Sequence, residues 1–289
     1  MTISLALLQA ASQPDNSLFM YLGVITLATL VALGLRFFVN MKEVLFAPSA
    51  SLKHHGQNDN FFFSLVVVFL GGVIGAFVLL LNQETMVSGY HQAAQVVATS
   101  LAQAAPNPTY RPVAEQWALG KIDAAFNVFF INNMIFFPLL VVAFWLVIGS
   151  VAYVGARMFG GHATYGAFLG SLAYSYFFGG IGLACMTAAI FNSATMYKDV
   201  MAGGSPPMDV WTIAGAILLL YGIVLFCMGI MQAADLTTGQ MIGALVVLLI
   251  VVGGGAALGY FYGALPKYQA FASQMTTFDP SKQGYTIPQ

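Results

Sequence analysis

The sequence predicts an all-α fold: a polytopic membrane bundle of about six transmembrane helices. Three observations predict it. Charged residues are 7% of the 289 and hydrophobic residues 59%, whereas a soluble domain carries roughly 25% charge. With so little charge to cover a surface, and a mean hydropathy of +0.83, most of the chain must take lipid as its solvent. Six apolar windows reach or approach the roughly 20 residues that cross a hydrocarbon core. None of them holds an ionisable residue near its middle.

The windows are 18–39, 61–81, 129–154, 165–191, 210–233 and 241–265. Arg36 stands near the end of the first, where its long side chain can snorkel to the interface. The loop 40–60 that follows contains Pro48 and the pair His54-His55. Two adjacent histidines with no cysteine or acidic cluster beside them fall short of a metal site. Phe61-Phe62-Phe63 opens the second window. The third begins near Asn132-Asn133, which suits interhelical hydrogen bonding, and contains Pro138, which removes a backbone donor.

Residues 82–128 are the one long extramembrane segment. Met86, Tyr90, Ala94, Val97 and Leu101 recur at helical spacing. Ala105-Pro106-Asn107-Pro108 breaks the pattern, and a second helix is predicted near Pro112 with Val113, Trp117 and Ile122 on its apolar side. Such a pair suits a structural cap or surface element, with Tyr90 and Trp117 as candidate contact residues for packing or a partner. The sixth window is interrupted by Gly253-Gly254-Gly255, which lipid-embedded helices tolerate. The tail 266–289 is polar, with aromatics at Tyr268, Phe271, Phe278 and Tyr285. It reads either as disordered or as laid along a partner.

Small residues recur every fourth position at Gly71/Gly75, Gly166/Gly170 and Gly239/Gly243, and in the row Gly255, Gly259 and Gly263. In lipid, close backbone approach supplies the packing that hydrophobicity cannot. The triple row is therefore the main candidate seam, within the chain or toward a neighbour. Cys185 and Cys227 lie inside apolar runs and read as small core residues. Arg157 and Asp235 fall in two short turns on one membrane side and are expected to hold those turns, as a pair if they meet.

Orientation rests on Lys and Arg in the loops. One side carries Arg36, Lys42, Lys53 and Arg157; the other carries Arg111, Lys121, Lys198, Lys267 and Lys282. The totals do not decide. The dense first loop does, placing that side in the cytoplasm and both termini outside.

Catalytic signatures are missing from the sequence. There is no phosphate-binding Gly-Lys-Ser/Thr loop, dinucleotide fingerprint or His-Glu-x-x-His zinc motif. None of the four histidines, His54, His55, His91 and His162, lies within a window, so no haem is expected, and no other cofactor or metal. A net charge of −1 without a basic tract gives nucleic acid no electrostatic hold.

The connector Arg157-Met158-Phe159-Gly160-Gly161-His162-Ala163-Thr164 leads into Ala173-Tyr174-Ser175-Tyr176. Trp211 opens the fifth window, with Gly222 at its middle, and Ala233-Ala234-Asp235-Leu236-Thr237-Thr238-Gly239-Gln240 links to the sixth. Together these resemble the Yip family, the Ypt-interacting membrane proteins, over residues 61–265. Phe177-Phe178 replace the proline that often follows in that family. The resemblance implies a five-helix core with 18–39 as an added helix. It also implies a bacterial-type member of the inner membrane, since the long N-terminal region of eukaryotic members is missing.

The function expected is a non-catalytic scaffold or accessory subunit that packs against other membrane proteins, against itself and against lipids. A carrier for an uncharged or lipid-like solute is the alternative. Asn132, Asn133, Ser150, Ser171, Ser175 and Thr187 are the residues available to line its path.

Overall fold

The computed structural model describes residues 16–57, 61–195 and 209–283. Among them every regular element is helical, so the protein is an all-α polytopic bundle. The α-helices are α1 (Asn16–Phe46), α2 (Pro48–Gln57), α3 (Phe61–Leu81), α4 (Gln83–Ala102), α5 (Arg111–Met158), α6 (Tyr165–Thr195), α7 (Val210–Ala233), α8 (Thr238–Gly259) and α9 (Leu265–Thr276). A π-helical turn, Tyr260–Ala264, joins α8 to α9.

Five straight stretches are long and apolar enough to cross a membrane: Phe61–Leu81, Phe136–Met158, Tyr165–Phe191, Val210–Ala233 and Thr238–Thr276. The chain is thus a multi-pass membrane protein. The first window departs from expectation. Its helix bends by 84° between Gly23–Val31 and Leu33–Phe46, so the expected straight span 18–39 is broken. Gly34 at the bend has φ 58° and ψ −161°, a conformation that side-chain-bearing residues rarely adopt. The third window, 129–154, lies wholly within α5, which runs unbroken from Arg111 to Met158. The Asn132 and Asn133 side chains fall outside the described residues.

The described residues form two compact units: those within 1–84, 134–190 and 208–253 make the first, and those within 85–133, 191–207 and 254–289 the second. In the first, backbones approach closely at glycines. A methyl group at Gly71 would lie 2.6 Å from the Phe177 Cα, and one at Gly72 2.5 Å from the Pro138 Cα. At Gly222 it would meet the Ser175 carbonyl oxygen at 3.0 Å, and at Gly155 that of Ala244 at 3.0 Å. Pro138 therefore sits in a helix seam, with its Cα against Gly72.

Trp145, fully buried, pins α5 to α6: its indole N–H donates to the Leu169 carbonyl at 3.0 Å, and Phe61 stacks on it at 5.4 Å. Indole burial without a partner would leave an unmet donor, so this bond is what makes the position tolerable.

The second unit has its own core. Ala94, Ala98 and Ala102 of α4 bury a small-residue face, as do Ala114 and Ala118 of α5. Thr99 bridges the two helices by donating to the Glu115 carboxylate at 2.8 Å. The tail, expected to be disordered or partner-bound, instead folds back within this unit. Phe271 of α9 stacks on Trp117 at 5.4 Å, and Phe278 lies 5.7 Å from the same ring.

Candidate contact surfaces and a polar cluster within the bundle

The two short turns and α2 gather at one end of the first unit. Arg157 donates to the Gly161 carbonyl at 3.1 Å, closing its own turn. The Gln240 amide reaches the Phe159 carbonyl at 2.9 Å and so ties the second turn to the first. Asp235, at φ 52°, pairs with Lys53 at 3.7 Å. Arg157 and Asp235 thus each serve a turn, but the cation beside Asp235 is Lys53 and not Arg157. Both members of that pair are more than half exposed, which limits the contact to about 0–1 kcal/mol.

The glycine rows divide sharply. Gly71 and Gly75 lie in a filled seam, and Gly243 faces the Phe159 ring. By contrast a methyl at Gly239, Gly253, Gly254, Gly255, Gly259 or Gly263 would meet no atom of the described residues within 4 Å. Among the described residues of its own unit, the row Gly255/Gly259/Gly263 has no partner helix. Ala244 and Leu248 in the first half of α8 are buried, but from Leu249 to Ala264, with Leu249, Ile250, Leu258, Phe261 and Tyr262 among them, every residue is exposed. Of the window in Phe61–Leu81, 67% is buried; of that in Thr238–Thr276, 6%.

Trp117 is only 7% exposed, covered by the chain's own tail, with the Lys121 ammonium 5.8 Å from its ring. Its contact is internal packing. Tyr90 is half-buried on α4, its hydroxyl facing the Asp123 carboxylate, and the neighbouring His91 Nδ1 stands 3.6 Å from that carboxylate. Burial first, and Asp123 second, push the Tyr90 phenol well above its usual range.

Hydropathy hid a third feature. The transverse half of α1 buries Leu33, Phe37, Asn40 and Val44, the i, i+4, i+7, i+11 stripe of one helix face. Phe37 packs edge-on to Phe177 at 5.8 Å, and the Tyr221 hydroxyl donates to the Val44 carbonyl at 2.9 Å. Asn40 faces the Tyr174 hydroxyl, with Arg36 and Glu43 within electrostatic reach of it. Arg36 rests over the Phe63 ring at 5.1 Å. Tyr174 lies nine residues into α6, and Tyr221 twelve residues before the end of α7. At 1.5 Å per residue these are about 14 and 18 Å from the helix ends. The two tyrosines thus anchor this half of α1 between a third and a half of the way along their spans, while Arg36 lies against Phe63 near the start of α3.

An apolar groove of about 360 Å³ opens between α5, α6 and α7, with Val141, Phe144, Tyr176, Gly179 and Phe226 in its wall. Of the hydroxyls expected to line a solute path, Ser175 stands in the wall of this groove, but each one described is hydrogen-bonded to a helix carbonyl. Ser175 and Thr187 donate to the carbonyls of Leu172 and Leu183 on their own helix. Ser171 bonds Phe168 and the Gly229 carbonyl of α7, and Ser150 bonds Leu146 and Tyr165. Among the described residues no group of three metal-ligating side chains converges, and both cysteines are free thiols.

Comparison with known proteins returns no family model, no curated protein and no solved structure that matches this chain.

Proposed function

We propose that the protein is a non-catalytic membrane scaffold or accessory subunit that packs against other integral membrane proteins along α8. One observation carries this reading. The last span exposes its apolar side chains from Leu249 to Ala264, and its glycine row meets no described neighbour within 4 Å, while Gly71, Gly72, Gly155 and Gly222 are in backbone contact. Lipid can solvate such a helix, but lipid gains little from a flat glycine face. A neighbouring helix gains close backbone approach and the dispersion contacts that go with it.

The resemblance to the Yip family, in its bacterial form, supports a binding role over an enzymatic one. The placement we propose is the bacterial inner membrane, with the basic loop and the Arg157 turn in the cytoplasm and both termini outside. The bend in α1 makes the N-terminal half of that placement the part to test first.

The second reading, a carrier for a lipid-like solute, is favoured by the groove beside Tyr176. It is weakened by the serine and threonine hydroxyls that turn back onto helix carbonyls.

Gentle extraction from the native membrane, followed by a native gel and mass spectrometry of what remains bound, separates the two. Comigration at fixed stoichiometry with a larger complex supports the scaffold. A lone chain or homo-oligomer shifts the balance to the carrier, to be tested by reconstituted flux.

A further inference from the structure

We propose that the groove between α5, α6 and α7 binds the ring of a membrane quinone, with Tyr176 donating a hydrogen bond to one of its carbonyl oxygens. This does not depend on the scaffold reading. It names the class of ligand that the groove takes, whether that ligand is carried or held.

The groove measures about 360 Å³, room for on the order of a dozen non-hydrogen atoms at roughly 30 Å³ each. That suits a ring with its substituents and not a whole phospholipid. The side chains in its wall are apolar except for two hydroxyls, those of Ser175 and Tyr176. Ser175 donates to the Leu172 carbonyl of its own helix. Tyr176 has no hydrogen-bond partner among the described residues, so its phenol is the donor that the groove has to offer. In hydrocarbon a hydroxyl without an acceptor is costly, and a ligand that brings an acceptor removes that cost.

The shape of the groove favours a flat ligand. Where α6 and α7 meet, a methyl at Gly222 would press on the Gly179 backbone nitrogen at 3.2 Å. A methyl at Gly179 itself would meet no atom of the described residues within 4 Å. Packing within the chain therefore leaves the space over Gly179 open. Tyr176 and Phe226 stand edge to face, ring centroids 6.1 Å apart at 74°, and Phe144 adds a third, half-exposed ring to the wall. A bare glycine surface between aromatic walls takes a planar ring better than a branched or flexible chain.

Depth narrows the choice further. Tyr176 is eleven residues into the 27-residue span Tyr165–Phe191, about 17 Å from its start at 1.5 Å per residue. That is near the middle of a hydrocarbon core about 30 Å thick. The phosphates and ester carbonyls of phospholipids stay hydrated at the edges of that core. Acyl chains reach the middle but bring no acceptor. An uncharged quinone can leave the interface, and it presents carbonyl oxygens on a flat ring.

The test uses the full chain purified in detergent, with no partner, and a tritiated decyl-tailed dimethoxybenzoquinone as the probe. Unlabelled quinone, decylbenzene and short-chain phosphatidylcholine are the competitors. The expected result is saturable binding, with decylbenzene competing about tenfold more weakly than quinone, the size of one hydrogen bond in an apolar site. Tyr176→Phe is expected to weaken quinone binding about tenfold and to erase its advantage over decylbenzene. Gly179→Leu is expected to fill the groove and abolish saturable binding. Tyr176→Phe removes only a hydroxyl without a partner, so its unchanged thermal melting checks that the fold is intact. The proposal is overturned if the wild-type chain shows no saturable binding, or if decylbenzene competes as well as quinone. It is overturned equally by a Tyr176→Phe variant that binds like wild type, and by phosphatidylcholine displacing quinone at equal concentration, which would assign the groove to acyl chains. The scaffold reading is decided separately, by the native gel of the extracted complex.

Discussion

Individual residues in this chain are governed by what stands opposite them, and glycine shows it best. Gly71 and Gly259 have the same chemistry and both belong to four-residue rows. At Gly71 a methyl would press on the Phe177 backbone at 2.6 Å, while at Gly259 it would meet nothing within 4 Å. Gly71→Ala should therefore overpack the α3–α6 seam and cost about 1–3 kcal/mol. Gly259→Ala should leave the isolated chain as stable or slightly more so, by up to about 1 kcal/mol from helix propensity. Thermal unfolding of the two variants in the same detergent checks the contrast, and equal melting temperatures would contradict it. Tyr90 gives a second residue-scale expectation. Its ordinary pKa is 10.0, and burial with Asp123 raises it in the folded unit. The folded state then keeps a proton that the unfolded chain releases. The associated stability is complete below pH 10 and is lost as the pH rises above it. A phenolate absorbance titration of wild type against Tyr90→Phe should show Tyr90 ionising after the exposed tyrosines. A Tyr90 contribution at the ordinary pH would contradict the burial.

Elements differ in how visible they were to a reading of the sequence. The windows 61–81 and 210–233 coincide with α3 and α7, and 165–191 covers all but the last turn of α6, because each is an uninterrupted apolar run. The first window failed for a definite reason. Hydropathy measures how apolar a run is and not which way it points, and the 84° bend at Gly34 leaves the apolar count unchanged. The polar cluster was lost with it, since Arg36 and Asn40 meet Phe63 and Tyr174 only once the transverse half-helix sets them there. The tail was misjudged because its aromatics, Phe271 and Phe278, find their partner, Trp117, more than 150 residues earlier in the sequence. That contact also defines what the tail depends on. Trp117→Ala removes the ring that both phenylalanines cover, a buried truncation that costs about 3–5 kcal/mol. Trypsin should then cut at Lys267 and Lys282 faster by on the order of tenfold or more, because local opening precedes cleavage. Cleavage at the wild-type rate would mean that α9 is held by something other than Trp117.

At the scale of the molecule, the burial of the spans is unequal, from 67% of the window in Phe61–Leu81 to 6% of that in Thr238–Thr276. Five glycines between 253 and 263 add to the imbalance, since each weakens a helix by about 0.5–1 kcal/mol relative to alanine. A chain that only needed to insert a last span would be served by leucine there. Glycine on a face with no neighbour among the described residues is consistent with a neighbour supplied from outside, through the close approach that only small residues allow. Gly259→Leu makes the sharp test. It adds apolar surface to an already exposed position, so insertion and the fold of both units should be unaffected, and any partner helix seated on the row should be pushed away. On a native gel the complex extracted with the variant is expected to lose its partner and run smaller, while membrane fractions still contain the full amount of protein. A complex of unchanged size would show that the row faces lipid alone, and the scaffold reading would lose the observation that carries it.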